Sequence, residues 1–252
     1  MHRTAPHLIH DLMAPLVTDG SHPLALKRAD GIVLDKPGKP SYDSPSSFRV
    51  IVLLQTFSKI LERIMNSRLS CVARATGLHP HQCGSLAGLS ASDAVTTLTH
   101  EVKTLRMAGR KVSTLFLDIK GGFDNVNPSS LCGMLRAKGV NRYLVSWTRS
   151  FLSGRSCRLL YQGSPKVFTP VSVGTPQGSP VSPLLFVIYV SRLHSEIPQG
   201  LTLSYVDDFG LTASSASYRV NIQILQRQYA RLKARGARLG VSFSVPKTEL
   251  IH

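Results

Sequence analysis

The chain has 252 residues, 42% of them apolar and 17% charged, which excludes a disordered segment and leaves room for one large domain or two small ones. Thirty Lys and Arg stand against fourteen Asp and Glu, for a formal charge of +16. A folded domain that basic needs an anionic partner; nucleic acid is the usual one and an anionic membrane surface the plainer alternative. Cys71, Cys83, Cys132 and Cys157 have neither zinc-site spacing nor the look of a disulfide framework, so buried free thiols are expected. The opening MHRTAPHLIHDLMAPLV lacks the apolar core of a signal peptide, and Val181 to Val190 is too short an apolar run to span a bilayer. The expectation is an intracellular protein, nuclear or cytoplasmic, with no membrane partner.

In chain order, residues 1–31 carry little pattern and read as a loose lead-in, followed by a basic, turn-rich loop from Lys36 to Ser47. Phe57, Ile60, Leu61, Ile64, Met65, Leu69 and Val72 recur at helical spacing up to about Gly77. A second helix runs from about Ser92 to Met107, opened by Ser90 and Asp93 at capping-box spacing and stopped by Gly109. Val112 to Ile119 reads as a buried strand, and Asn127-Pro128 as the cap and first residue of a helix reaching about Lys138. Another helix covers roughly 141–153, then two strands, 156–161 and 167–173, flank the turn Gln162-Gly163-Ser164. Helix returns from Val181 to His194. Leu201 to Tyr205 and Phe209 to Ala213 flank Asp207-Asp208 as a hairpin, and a basic helix, 218–235, precedes a last strand, Val241 to Val245. The order implies an α+β fold with helices packed on an antiparallel sheet.

Two of these strands end in aspartate: Thr114-Leu-Phe-Leu-Asp118 and Ser204-Tyr-Val-Asp-Asp208. A lone aspartate at a strand end is ordinarily a turn cap. Adjacent carboxylates at the end of an apolar strand are costly to bury, and a divalent cation with a preference for hard oxygen ligands resolves that conflict. Two Mg²⁺ ions about 4 Å apart activate a hydroxyl and stabilise a departing pyrophosphate.

Longer segments carry a resemblance. Phe116-Leu-Asp-Ile-Lys-Gly-Gly-Phe-Asp-Asn-Val126 resembles motif A of reverse transcriptases, Gly174-Thr-Pro-Gln-Gly-Ser-Pro-Val-Ser-Pro-Leu-Leu-Phe186 motif B, and Tyr205-Val-Asp-Asp208 motif C. Phe48-Arg-Val-Ile-Val-Leu-Leu54 is similar to the fingers motif and Phe243-Ser-Val-Pro-Lys-Thr-Glu249 to motif D. With Lys59-Ile-Leu-Glu-Arg63 after the fingers motif, the wording looks most like non-LTR (LINE-type) retrotransposons. The resemblance implies a right-hand polymerase: fingers and palm over residues 32–252, an antiparallel palm sheet packed with helices, and the chain ending before a thumb. It implies an RNA-directed DNA polymerase that joins a dNTP to a DNA primer on an RNA template, with two Mg²⁺ ions or Mn²⁺.

The family's roles fall on matching residues. Asp118, Asp207 and, less directly, Asp208 would hold the metals, helped by the backbone carbonyl of Ile119. Phe123 stands where the family places the aromatic gate that fills the space of a ribose 2′-hydroxyl. Gln177 and Gly178 open the turn expected to touch the incoming nucleotide or the template. Arg49 matches the arginine that clamps the triphosphate, and Lys247 matches a general acid for the pyrophosphate. Lys36 and Lys39 are candidate helpers, and Asp124 recurs in the pattern without an assigned role. Read without the resemblance, Phe123 is a core aromatic, Arg49 and Lys247 are solvated charges, and the turn is structural. Val50 and Val52 depart from the usual Pro and Ser of the fingers motif, and Gly122 from the usual Ala of motif A. Arg227, Arg231, Lys233, Arg235 and Arg238 form either a phosphate track or a solvated face. The rival readings are a non-catalytic nucleic-acid-binding remnant of the same fold and, less suited to motif B, a two-metal nuclease.

Overall fold

The structure, a computed structural model, describes residues 7–76, 78–86, 88–161, 164–196 and 202–252. In chain order the elements are α1 (Leu8–Thr18), β1 (Arg28–Asp35), β2 (Phe48–Leu53) and α2 (Thr56–Ala75), then β3 (Gln82–Cys83), α3 (Ala91–Met107) and β4 (Lys111–Lys120). There follow α4 (Pro128–Ala137), α5 (Arg142–Leu152), β5 (Arg155–Tyr161), β6 (Ser164–Pro165), β7 (Thr169–Val171) and α6 (Ser182–Val190). The last are β8 (Thr202–Tyr205), β9 (Asp208–Ser215), α7 (Tyr218–Arg238), β10 (Ser242–Phe243) and β11 (Glu249–Ile251). They form two compact units, Met1–Val72 with Pro128–Ser182, and Ala73–Asn127 with Pro183–His252.

The first unit is built on a sheet ordered β2-β1-β5-β6, with β7 also on β5. β1 runs antiparallel to β2 and parallel to β5. Asp30 and Arg158 are register partners across that parallel pair, and the guanidinium grips the carboxylate with two bonds of 2.8 and 3.1 Å. The stretch expected as a loose lead-in therefore holds a helix and half a strand; its first six residues lie outside those described. Helix α5 opens on Asn141, whose side chain accepts from the Tyr143 amide, and buries Leu144, Val145, Trp147, Thr148, Phe151 and Leu152. The Trp147 and Phe151 rings stack at 5.0 Å, and truncating such a buried ring costs about 3–5 kcal/mol. The expected strand pair 156–161 and 167–173 is instead one strand, β5, met by the two short strands β6 and β7. Gln162 and Gly163 of its expected turn lie outside the described residues.

The second unit is the sheet β10-β4-β9-β8-β3, with β11 also on β4. Every pairing is antiparallel except β3 with β8. α7 packs on β4 and β9, and α3 on β4 and β8, which is the expected layering of helices on an antiparallel sheet. Ser90 and Asp93 close a full capping box at the start of α3, and Gly109 just beyond its end sits at φ +74°. Fully buried Asn221 ties α7 to β4, donating to the Lys111 carbonyl at 3.0 Å and to Ser113 Oγ at 3.1 Å.

Other expectations shift at element ends. The helix expected to reach His194 is α6 as far as Val190 and a 3₁₀ turn beyond it. The last expected strand shrinks to β10, because Pro246 sits in a 3₁₀ turn, Val245–Lys247, and pairing resumes as β11. All four cysteines are free; Cys83 and Cys132 are buried, but Cys71 is exposed, contrary to the expectation of buried thiols. Among the described residues no helix is long and apolar enough to cross a membrane.

Candidate active site

The acidic patch is assembled by backbone pairing within the second unit. Antiparallel register sets Asp118 on β4 opposite Asp208, the first residue of β9. Tyr205 also pairs with Asp208, so the hairpin turn is Val206–Asp207 rather than the expected Asp207–Asp208. The Ile119 amide donates to the Asp207 carbonyl at 3.1 Å, which fixes the turn beside the end of β4. Val206 lies at φ +57°, a conformation that a β-branched side chain adopts at a cost of about 1–3 kcal/mol. The strain is held from the end of β3. The Val206 amide donates to the Cys83 carbonyl at 3.3 Å, and Gly84, at φ +84°, leaves the space that a β-carbon would take 2.8 Å from Val206 Cγ2.

This patch gathers negative charge. Lost hydration raises the Asp208 carboxyl above the ordinary range; Asp207 and Asp118 push it further up, and Lys247 opposes them. The Lys247 ammonium donates to Asp118 Oδ1 at 2.7 Å, and this bond lifts Lys247 above its usual value. Chain pairing delivers that ammonium: β10 pairs Phe243 with Ile119, the Ser244 amide donates to the Asp118 carbonyl at 2.8 Å, and the 3₁₀ turn follows. Among the described residues, as placed, no three His, Cys, Asp or Glu side chains converge on a point that could hold a metal. The carboxylates are neighbours across the strands, and a lysine stands in for positive charge on one of them.

Phe123 opens a 3₁₀ turn just after β4, half-buried, its ring 5.0 Å from that of Phe186. A β-carbon at Gly122 would come 2.7 Å from Phe186 Cζ, which explains why glycine stands where alanine was the expectation. Exposed Asp124 lies in the same turn.

The first unit carries the remaining candidates. Arg49 is exposed on β2, paired with Leu34. Further along that strand, the Val52 amide donates to the Gln177 carbonyl at 2.6 Å. Gly178 sits at φ +121° with its Cα against the Val52 carbonyl, where a β-carbon would collide. The strand of Arg49 and the Gln177–Gly178 turn are thus joined directly. Buried Arg155 braces the approach to the turn, donating to the carbonyls of Val173 at 3.0 Å and Gly174 at 2.6 Å. Lys36 donates to the Ser46 carbonyl at 3.0 Å, and Lys39 is exposed on the same loop. On α7, Arg227, Arg231, Lys233 and Arg238 are exposed, and Arg235 is half-buried. No role was expected of Arg155, the strained Val206, or Glu62, a fully buried carboxylate on α2. Only Glu62 left a signal, a charge among the apolar positions Leu61, Met65 and Leu69.

Comparison with known proteins gives a consistent picture. A family model described as reverse transcriptase (RNA-dependent DNA polymerase) matches residues 34–252. A probable RNA-directed DNA polymerase from transposon X-element of Drosophila melanogaster is 31% identical over 158 residues, which is 62% of this chain and 17% of that protein. A putative 115 kDa protein in the type-1 retrotransposable element R1DM of the same organism is 30% identical over 252 residues, covering 99% of this chain and 24% of its own length. The chain thus spans less than a quarter of these curated relatives. Among solved structures, apo telomerase from Candida tropicalis matches with a TM-score of 0.65 at 12% identity, over 98% of this chain and 50% of that one. At that identity the likeness speaks for the fold alone.

Proposed function

The chain belongs to the reverse transcriptase (RNA-dependent DNA polymerase) family, and we propose that it carries that family's nucleotidyl transfer: a dNTP joined to a DNA primer on an RNA template, with release of pyrophosphate. The observation that carries this reading is the placing of Asp118 opposite Asp208, with Asp207 tied to Ile119. Support for a divalent cation comes from the charge of the patch, which raises its own Asp208 carboxyl and draws a lysine ammonium onto Asp118. Asp118, Asp207 and Asp208, with the Ile119 carbonyl, would hold two Mg²⁺ ions, or Mn²⁺. When bound, such ions supply Lewis-acid activation of the primer 3′-hydroxyl and charge neutralisation for the departing pyrophosphate.

The remaining roles belong to the chain's own side chains. Arg49 offers a planar guanidinium to phosphate oxygens. The glycine at 178 allows a backbone approach that no side chain permits, beside Gln177. Phe123, backed by Phe186, fills the space of a 2′-hydroxyl. Lys247, released from Asp118, would give a proton from its ammonium to the leaving pyrophosphate. The relatives named after transposons support a retrotransposon lineage for this chemistry; action inside the cell, in nucleus or cytoplasm, is part of the same proposal.

Primer extension by the purified chain on an RNA template, with Mg²⁺ and dNTPs, tests the reading beside Asp207→Ala. Extension that disappears in the variant supports it. Extension that survives overturns the assignment of the acids. Binding of the RNA–DNA duplex without any extension leaves the non-catalytic remnant as the better account, and Mg²⁺-dependent cleavage without dNTP points to a nuclease.

A further inference from the structure

The loop that joins Gly174 to α6 is held from two sides, and one of its holds is a carboxylate deep in the first unit. Glu62 lies on α2 with no exposed surface. Ser179, the residue after Gly178, donates its hydroxyl to Glu62 Oε2, and Ser58 donates to Oε1 at 2.5 Å. His22 Nε2 lies 3.2 Å from Ser58 Oγ. The row therefore runs from His22 through Ser58 to Glu62, with Ser179 arriving from the other side. Ser179 is used twice, since its Oγ also accepts the Val181 amide at 3.2 Å just ahead of α6.

A buried carboxylate is an expensive way to hold a helix against a loop, because apolar packing does it at less cost. Its particular property is direction: burial raises the Glu62 carboxyl above its ordinary range, the bonds from Ser179 and Ser58 draw it back, and each bond fixes the hydroxyl that makes it. The residue fixed here adjoins the one whose conformation is least tolerant, Gly178 at φ +121° against the Val52 carbonyl. Val52 clamps the turn at Gln177 and Glu62 clamps it at Ser179. The backbone at 178 is left between two fixed points, one on the strand that carries Arg49 and one on α2.

We propose that Glu62 is a positioning residue for the incoming nucleotide, holding the Gln177–Gly178 turn in its binding shape through Ser179. The inference rests on the reading above, that Arg49, Gln177 and Gly178 receive the triphosphate. Glu62 itself touches no substrate. Its removal loosens the turn and weakens the nucleotide while sparing the grip on nucleic acid.

The test uses the full chain bound to an RNA template and a DNA primer with a dideoxy end, and reads dTTP affinity in Mg²⁺. Glu62→Gln keeps the size of the side chain but meets a donating hydroxyl with an amide that also donates, and Ser179→Ala removes the hydroxyl. Each is expected to weaken dTTP about tenfold and to speed amide exchange of residues 177–181 about tenfold, with duplex affinity within about twofold of wild type. The double variant should be no worse than the weaker single one, because both break the same bond. Arg49→Ala serves as the control on the underlying reading. If wild type binds no dTTP, or Arg49→Ala binds it as well as wild type does, that reading falls and the inference with it. If Arg49→Ala weakens dTTP while Glu62→Gln and Ser179→Ala do not, or if those variants weaken dTTP and duplex alike, the inference alone is overturned.

Discussion

Replacing Gly178 by alanine perturbs the site at its least tolerant backbone position, and the geometry sets the size of the effect. At φ +121° any L side chain is strained, and the new β-carbon would sit on the Val52 carbonyl. To relieve that collision the turn must move off β2, opening the 2.6 Å bond between the Val52 amide and the Gln177 carbonyl. Backbone strain of about 1–3 kcal/mol and loss of a bond of about 0.5–1.5 kcal/mol give a destabilisation of about 2–4 kcal/mol. Gly38 supplies the internal control, because it also has positive φ, +74°, but a β-carbon there would meet nothing within 4 Å. Gly38→Ala should therefore cost only the strain, about 1 kcal/mol. Urea unfolding of the two variants beside wild type separates the terms, and dTTP affinity reports the displaced turn. If Gly178→Ala unfolds within about 0.5 kcal/mol of Gly38→Ala and binds dTTP normally, the clamping of this turn by β2 is wrong.

Three further outcomes are expected. Burial pushes His22 down to about 4 and His194 down to about 3, with Lys27 adding to the first and His79 and His81 to the second. Both imidazoles fold neutral, so their stability contribution is complete above the unfolded value near 6.5 and is lost as pH falls below it. Between pH 7.5 and pH 5 each removes about 2 kcal/mol, and a urea midpoint that stays level over that window would count against both burials. Lys247→Met removes the ammonium from Asp118; Mn²⁺ binding to the free chain, read by electron paramagnetic resonance, should tighten about two- to fivefold, and unchanged affinity would show that the lysine does not compete for the patch. Phe123→Val should reduce discrimination against ribonucleotides about ten- to a hundredfold in primer extension; a preserved preference for dNTPs would remove Phe123 from that role.

The sequence was legible where local chemistry decides the structure. Two apolar runs ending in aspartate were enough to find β4 and the β8–β9 hairpin, and Ser90, Asp93 and Gly109 marked both ends of α3. What stayed hidden depends on partners far along the chain. β1 is broken by Arg28, Asp30 and Asp35, and its meaning comes from Arg158, 128 residues away. Pro15 inside α1 disguised that helix. β3 and β11 are too short to show a period, and exist because β8 and β4 offer them hydrogen bonds. The site shows the same division: residue types could be named from motifs, whereas the Lys247–Asp118 bond and the Glu62–Ser179 tether are products of tertiary pairing.

The strand that bears Asp118 is flanked on one side by β9 and on the other by β10 and β11. Lys247 and Asp118 are 129 residues apart in the chain. On a ribosome, β4 therefore emerges on the order of ten seconds before the segment that brings the lysine to it. Throughout that interval the edge that β10 and β11 will cover is open to any other extended peptide. The last residues of the chain are therefore what close that edge and bring a positive charge to its acids.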